Sequence, residues 1–98
     1  VSIFSDNLLL LNIIIVDDES LARLRLSQLC EDIQTDCPNK VIAQYANASA
    51  LINALPNLQV QFNLQSVPSV ILLDINMPNL NGIDVAEFLR KNTPYINI

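Results

Sequence analysis

Two apolar runs, each closed by a carboxylate, constrain this chain most. Asn12-Ile13-Ile14-Ile15-Val16 leads directly into Asp17-Asp18-Glu19, and Val70-Ile71-Leu72-Leu73 leads into Asp74. Continuous aliphatic, β-branched runs suit strands covered on both faces, as in a parallel sheet, better than strands with one wet face. Parallel neighbours of this kind bring their acidic ends together at one sheet edge. Two unit charges 4 Å apart repel by about 4 kcal/mol at an effective dielectric near 20. A hard cation relieves that repulsion, and magnesium suits the role. It takes oxygen ligands and keeps water that an incoming oxyanion can replace.

The rest of the chain alternates helix and strand. The spacing predicts a first helix over residues 19–33, with Glu19 in its first turn. Ala22, Leu26, Leu29 and Ile33 form its buried stripe and Cys30 flanks them. Leu24 falls opposite that stripe and Leu21 near its edge. A second strand is expected over residues 41–46, with Val41, Ala43 and Tyr45 alternating against Ile42, Gln44 and Ala46. A short helix over residues 49–55 should stop or kink at Pro56. Residues 57–68 alternate Val60, Phe62 and Leu64 with polar neighbours, which suggests an extended loop. The third strand covers residues 70–74 and a third helix residues 82–91, with Val85, Phe88 and Leu89 buried. Arg90 and Lys91 close that helix and Pro94 forbids its continuation. Residues 95–98 open a fourth strand. The order implies an α/β fold, a parallel sheet with helices on both faces.

Composition removes several function classes. With 51% hydrophobic and 15% charged residues, the chain can bury a core. Its net charge is −5, and Arg23, Arg25, Lys40, Arg90 and Lys91 are its only basic residues. Direct nucleic-acid contact by this segment is therefore not expected. It contains no histidine, which excludes a histidine-based triad, a zinc–histidine site and a histidine general base within these residues. Cys30 and Cys37 are expected to be free thiols in a reducing cytoplasm. The apolar stretch over residues 8–16 is too short to cross a membrane and lacks the flanks of a signal peptide.

Asp17-Asp18-Glu19, then Leu-Ala-Arg-x-Arg-Leu at residues 21–26, Leu-Leu-Asp-Ile-x-Met-Pro at residues 72–78 and Gly82 resemble the receiver domain of two-component response regulators. The first-helix wording is most similar to receivers of LytTR-type transcription regulators. The resemblance implies a flavodoxin-like, doubly wound parallel sheet of order 2-1-3-4-5, here incomplete at the C-terminus. It implies a receiver over residues 12–98 behind an N-terminal extension of residues 1–11. It makes Asp74 the phosphoacceptor. Asp18, Asp74 and the backbone carbonyl of Asn76 would bind Mg2+, and Asp17 would hold a metal-bound water. The phosphoryl group would come from a histidine kinase or a small acyl phosphate, and an output domain outside this segment would be regulated. A complete receiver also carries a Ser or Thr after strand 4 and a Lys after strand 5. The 98 residues stop before either position.

Other readings fit less of the sequence. Dinucleotide-binding folds need a glycine-rich turn after the first strand, and here that turn is Asp-Asp-Glu. Aspartate-nucleophile phosphatases place Asp-x-Asp at the first strand end, which is absent. A phosphorylation-incompetent binding module, associating through its open sheet edge as a homodimer or domain swap, is the alternative. Gly82 reads as a permissive turn residue, and Met77-Pro78 as shaping the loop before it. Arg23 and Arg25 read as a solvated helix face. Leu21 and Leu24 beside them offer a kinase docking surface, as the first helix does in the family.

Overall fold

The structure is a computed structural model that describes residues 10–74, 76 and 82–98, with Gly82 and Ile83 described by backbone alone. Residues 1–9, Ile75 and residues 77–81, including Met77-Pro78, lie outside it.

The central strand is β1 (Leu11–Val16), in which Ile13, Ile14, Ile15 and Val16 are all buried. Strand periodicity sends alternate side chains to opposite faces, and both faces are covered. Ile14 and Val16 join one core; Ile13 and Ile15 join the other. Helix α1 (Ser20–Asp32) covers the Ile13/Ile15 face with Leu26 and Cys30. Helices α2 (Ala48–Phe62) and α3 (Gly82–Asn92) cover the Ile14/Val16 face with Ala48, Leu51, Leu55, Leu58, Val85 and Leu89. Strands β2 (Asn39–Tyr45) and β3 (Ser69–Leu73) flank β1, both parallel to it, in the order β2-β1-β3. This is the doubly wound, flavodoxin-like arrangement.

Residues 95–98 begin to add the next strand. Val70 bridges Asn97 in parallel, the Ile71 amide donates to the Asn97 carbonyl at 2.8 Å, and the Asn97 amide donates to the Ser69 carbonyl at 3.0 Å.

Several local expectations need correction. Helix α2 does not end at Pro56 but runs through it to Phe62. Pro56 is exposed, so the Ile52 carbonyl it leaves without a helical donor is the main loss. A mid-helix proline costs about 3 kcal/mol, whereas burying one leucine contributes about 1.5–3 kcal/mol. The stripe Ala48, Leu51, Leu55 continues to Leu58, so stopping at Pro56 would forfeit Leu58 and the packing of Phe62 and Leu64. The helix ends instead at Asn63, which adopts the left-handed conformation at φ 52°, with the Leu64 amide reaching back to the Gln59 carbonyl. Val60 is 85% exposed, so the strand-like alternation of residues 60–64 was coincidental.

The stripe on α1 is narrower than its spacing suggests. Cys30 is the buried residue, while Leu29 and Ile33 are exposed. On α3, Val85, Ala86 and Leu89 are buried and Phe88 is exposed. Alternation along β2 is broken by a bulge between the pairs Ile13–Val41 and Ile14–Ala43. Ile42 and Ala43 consequently pack against the same core, while Val41 packs against the other. Gly82 forms the first residue of α3.

Asn39 ties the α1–β2 connection together. Its side-chain amide donates to the Cys30 and Cys37 carbonyls, each at 2.8 Å, and Gln34 exchanges hydrogen bonds with its backbone. Cys30 and Cys37 are both free thiols. Burial, aided by the neighbouring Cys37, pushes the Cys30 thiol above its ordinary range.

Two outcomes follow from this packing. Pro56→Ala restores a helical donor at an exposed site and should stabilise the fold by about 1–2 kcal/mol, read as a higher urea midpoint with unchanged slope. A colorimetric disulfide reagent should label Cys37 first. Cys30 should react slowly, and its rate should keep rising through pH values at which an ordinary thiol is already ionised.

Candidate functional site

Two backbone hydrogen bonds carry the parallel ladder one residue beyond the strands. The Asp17 amide donates to the Tyr45 carbonyl at 3.1 Å, and the Asp74 amide donates to the Val16 carbonyl at 2.9 Å. Val16 pairs with Leu73 in the β1–β3 register, so Asp17 and Asp74 leave the sheet side by side. Their placement follows from strand register rather than from loop conformation.

Asp18 follows within the turn. One carboxylate oxygen from each of Asp17, Asp18 and Asp74 lies within 4.8 Å of the others. Asp17 and Asp74 are half-buried and Asp18 is exposed. Opposite ligands of an octahedral magnesium shell at ~2.1 Å are about 4.2 Å apart. Three oxygens this close span one such shell with small adjustments. The donor set is entirely carboxylate oxygen, which suits Mg2+, Mn2+ or Ca2+ rather than metals that favour thiolate or imidazole.

Local hydrogen bonds fix two of the three carboxylates. Asp17 Oδ1 accepts from the Glu19 amide at 3.0 Å, and Asp74 Oδ1 accepts from the Asn76 amide at 2.9 Å. Both are two-residue side-chain turns of the kind that Asp favours. Glu19 sits at the cap position of α1 without a side-chain cap bond, and the first turn of α1 holds no acidic residue. That corrects the expected place of Glu19 inside the helix.

Sequence reasoning missed Arg23. It is half-buried rather than solvated, and its Nη1 donates to the Asp17 backbone carbonyl at 2.7 Å. The available signal was its position four residues after Glu19, one helical turn above the acidic turn. Arg25 is exposed, as expected. Leu21 and Leu24 are also exposed.

The response regulator receiver domain matches residues 13–98. The chain belongs to this family. Receiver domains are signalling modules, in general not enzymes, that serve as phosphoacceptors in two-component systems and work with histidine kinases and output domains. They generally hold Mg2+ at an acidic cluster such as this one. This receiver is 34% identical over 88 residues to the transcriptional regulatory protein BtsR of Salmonella typhi, covering 89% of this chain and 32% of that protein. It is 34% identical over 89 residues to the sensory transduction protein LytT of Bacillus cereus, again covering 89% of this chain and 32% of that protein. It therefore spans about a third of the curated relatives it matches. Its backbone is similar to the isolated REC domain of RcsB from Salmonella enterica serovar Typhimurium, with a TM-score of 0.66. That match, at 24% identity over 87% of this chain and 56% of that one, shows the fold alone. Among the described residues, no helix is long and apolar enough to cross a membrane.

Removing one carboxylate separates repulsion from metal binding. In chelator, Asp18→Asn should raise the melting temperature, because it relieves charge repulsion at the strand ends. In saturating magnesium the order should reverse, because the parent gains more from the ion. Paired calorimetric scans with and without magnesium check both signs.

Proposed function

We propose that this receiver is phosphorylated on Asp74, with Mg2+ held by Asp18, Asp74 and the Asn76 carbonyl and with Asp17 holding a metal-bound water. The observation that carries this reading is the convergence of three carboxylates within 4.8 Å at the ends of neighbouring parallel strands. The receiver unit covers residues 12–98 and residues 1–11 form an extension. The module works in the cytoplasm within a longer regulator, whose output domain controls transcription.

The Asp74 carboxylate is turned by the Asn76 amide so that Oδ1 is engaged and the second oxygen serves as nucleophile. That oxygen attacks the phosphorus of a phosphohistidine on the kinase. The new O–P bond forms as the P–N bond breaks, and the departing imidazole keeps the electron pair. The product is an acyl phosphate on Asp74 and neutral histidine once a proton is taken up. Transfer of this kind asks mainly for in-line placement and charge neutralisation. When bound, Mg2+ neutralises the carboxylates and the incoming phosphoryl oxygens. Asp17 and Asp18 supply the negative field that recruits the ion. The gain of nearly two negative charges at Asp74 then biases a conformational equilibrium that an output domain reads.

Incubation with acetyl phosphate and magnesium, read by intact mass, tests the assignment. The expected result is one added phosphoryl group that requires magnesium and is abolished in Asp74→Asn. Retention of the added mass in Asp74→Asn would contradict the assignment of the nucleophile. A parent chain that gains no mass would contradict phosphoacceptor function in this segment.

A further inference from the structure

Residues 17–19 join β1 to α1 without the usual closing device. The cap residue Glu19 makes no side-chain bond to the helix. Arg23 closes the turn from above instead. Its backbone amide donates to the Glu19 carbonyl at 3.1 Å, and its guanidinium donates to the Asp17 carbonyl at 2.7 Å. The backbone bond is the ordinary first i→i−4 bond of the helix, so the guanidinium contact is the one specific to Arg23, while the Glu19 amide binds Asp17 Oδ1 across the middle of the turn.

We propose that Arg23 is a positioning residue for the acidic pocket: by holding the Asp17 carbonyl it sets the direction in which Asp18 is presented to the metal. The inference rests on the reading of that pocket as a magnesium site. The Asp17 carbonyl belongs to the peptide plane that links Asp17 to Asp18. Peptide planes are rigid, so fixing that oxygen restricts ψ of Asp17 and φ of Asp18 together. Asp18 is exposed, so core packing does not orient it. A charge-assisted bond from a half-buried guanidinium is stronger than a neutral one and better directed than the donors of a lysine. It is also made through the backbone, so both neighbouring carboxylates stay available as ligands.

A competing electrostatic role has the opposite sign. A cation beside three carboxylates lowers their attraction for a second cation, so removing it would tighten magnesium binding. Removing a positioning residue loosens binding, because the turn must be ordered at the moment the ion arrives. The sign of the change therefore decides between the two roles.

The test is calorimetric titration of magnesium alone into the parent chain and into Arg23→Ala, Arg23→Lys and Lys40→Ala. Lys40 lies at the opposite end of the sheet, where its neighbour on β1 is Asn12, so its removal matches the change in net charge without touching the turn. The expected result is roughly tenfold weaker binding in Arg23→Ala, an intermediate loss in Arg23→Lys and no loss in Lys40→Ala. In the metal-free chain, hydrogen exchange at the Glu19 amide should quicken in Arg23→Ala and stay near parental rates elsewhere in the sheet. Unchanged or tighter magnesium binding by Arg23→Ala would overturn the proposal. If Arg23→Ala unfolds, the folded Arg23→Lys variant decides, and parental affinity in it overturns the proposal equally. A parent chain that takes up no magnesium would overturn both this inference and the reading of the pocket.

Discussion

The parallel hydrogen-bond ladder between β1 and β3 sets everything else in this receiver. Its register pairs Val16 with Leu73 and continues through the Asp74 amide to the Val16 carbonyl. A shift of one residue would turn Ile13 and Ile15 toward the wrong core and separate the two acidic strand ends. Hydrophobic burial pins the register. Ile13, Ile14, Ile15 and Val16 are all buried, which contributes on the order of 6–12 kcal/mol at about 1.5–3 kcal/mol per side chain. Repulsion among the carboxylates opposes this, but Asp17 and Asp74 are half-buried and Asp18 is exposed, so water screens it. The sheet therefore forms with the charges already gathered, and the stored repulsion becomes affinity for a cation.

The two faces of the sheet are unequal. The Ile14/Val16 core draws on α2, α3 and the segment around Ile96, and a hydrogen bond from the Gln59 side chain to the Tyr95 hydroxyl links α2 to that segment. Among the described residues, the Ile13/Ile15 core has only Cys30 as a buried partner, with Leu11, Leu26, Val41 and Leu72 half-buried around it. Helix α1 is thus held partly by polar contacts at its two ends. Arg23 ties its start to the Asp17 carbonyl, and Asn39 ties its last turn to β2 through the Cys30 carbonyl. The acidic turn of the site lies at the first of these contacts, so the order of α1 and the geometry of the pocket depend on each other.

Strand placement was legible in the sequence because its signal is redundant. Four consecutive buried positions in β1 leave no other parsing, and Asp17, Asp18 and Asp74 were readable as strand-end residues without any loop geometry. Helix α2 was misread because Pro56 and the alternation of Val60, Phe62 and Leu64 both spoke locally against helix. The opposing signal, Leu58 in register with Ala48, Leu51 and Leu55, acquires weight only when a core exists to receive it. The stripe of α1 failed for the converse reason. Leu29 and Ile33 satisfy the spacing, but the helix meets the Ile13/Ile15 core through Leu26 and Cys30 and leaves both exposed. The bulge in β2 left no mark in composition, and Arg23 looked like any surface arginine until the turn below it had a shape.

Manganese can stand in for magnesium at an all-oxygen site and broadens the resonances of nearby nuclei. Substoichiometric Mn2+ added to the isotopically labelled chain tests most directly whether the two strand ends form one pocket. Simultaneous loss of the Asp17, Asp18 and Asp74 amide signals, with magnesium restoring all three, is the predicted result. Broadening confined to one strand end, or centred on acidic residues elsewhere such as Glu31 and Asp36, would contradict it.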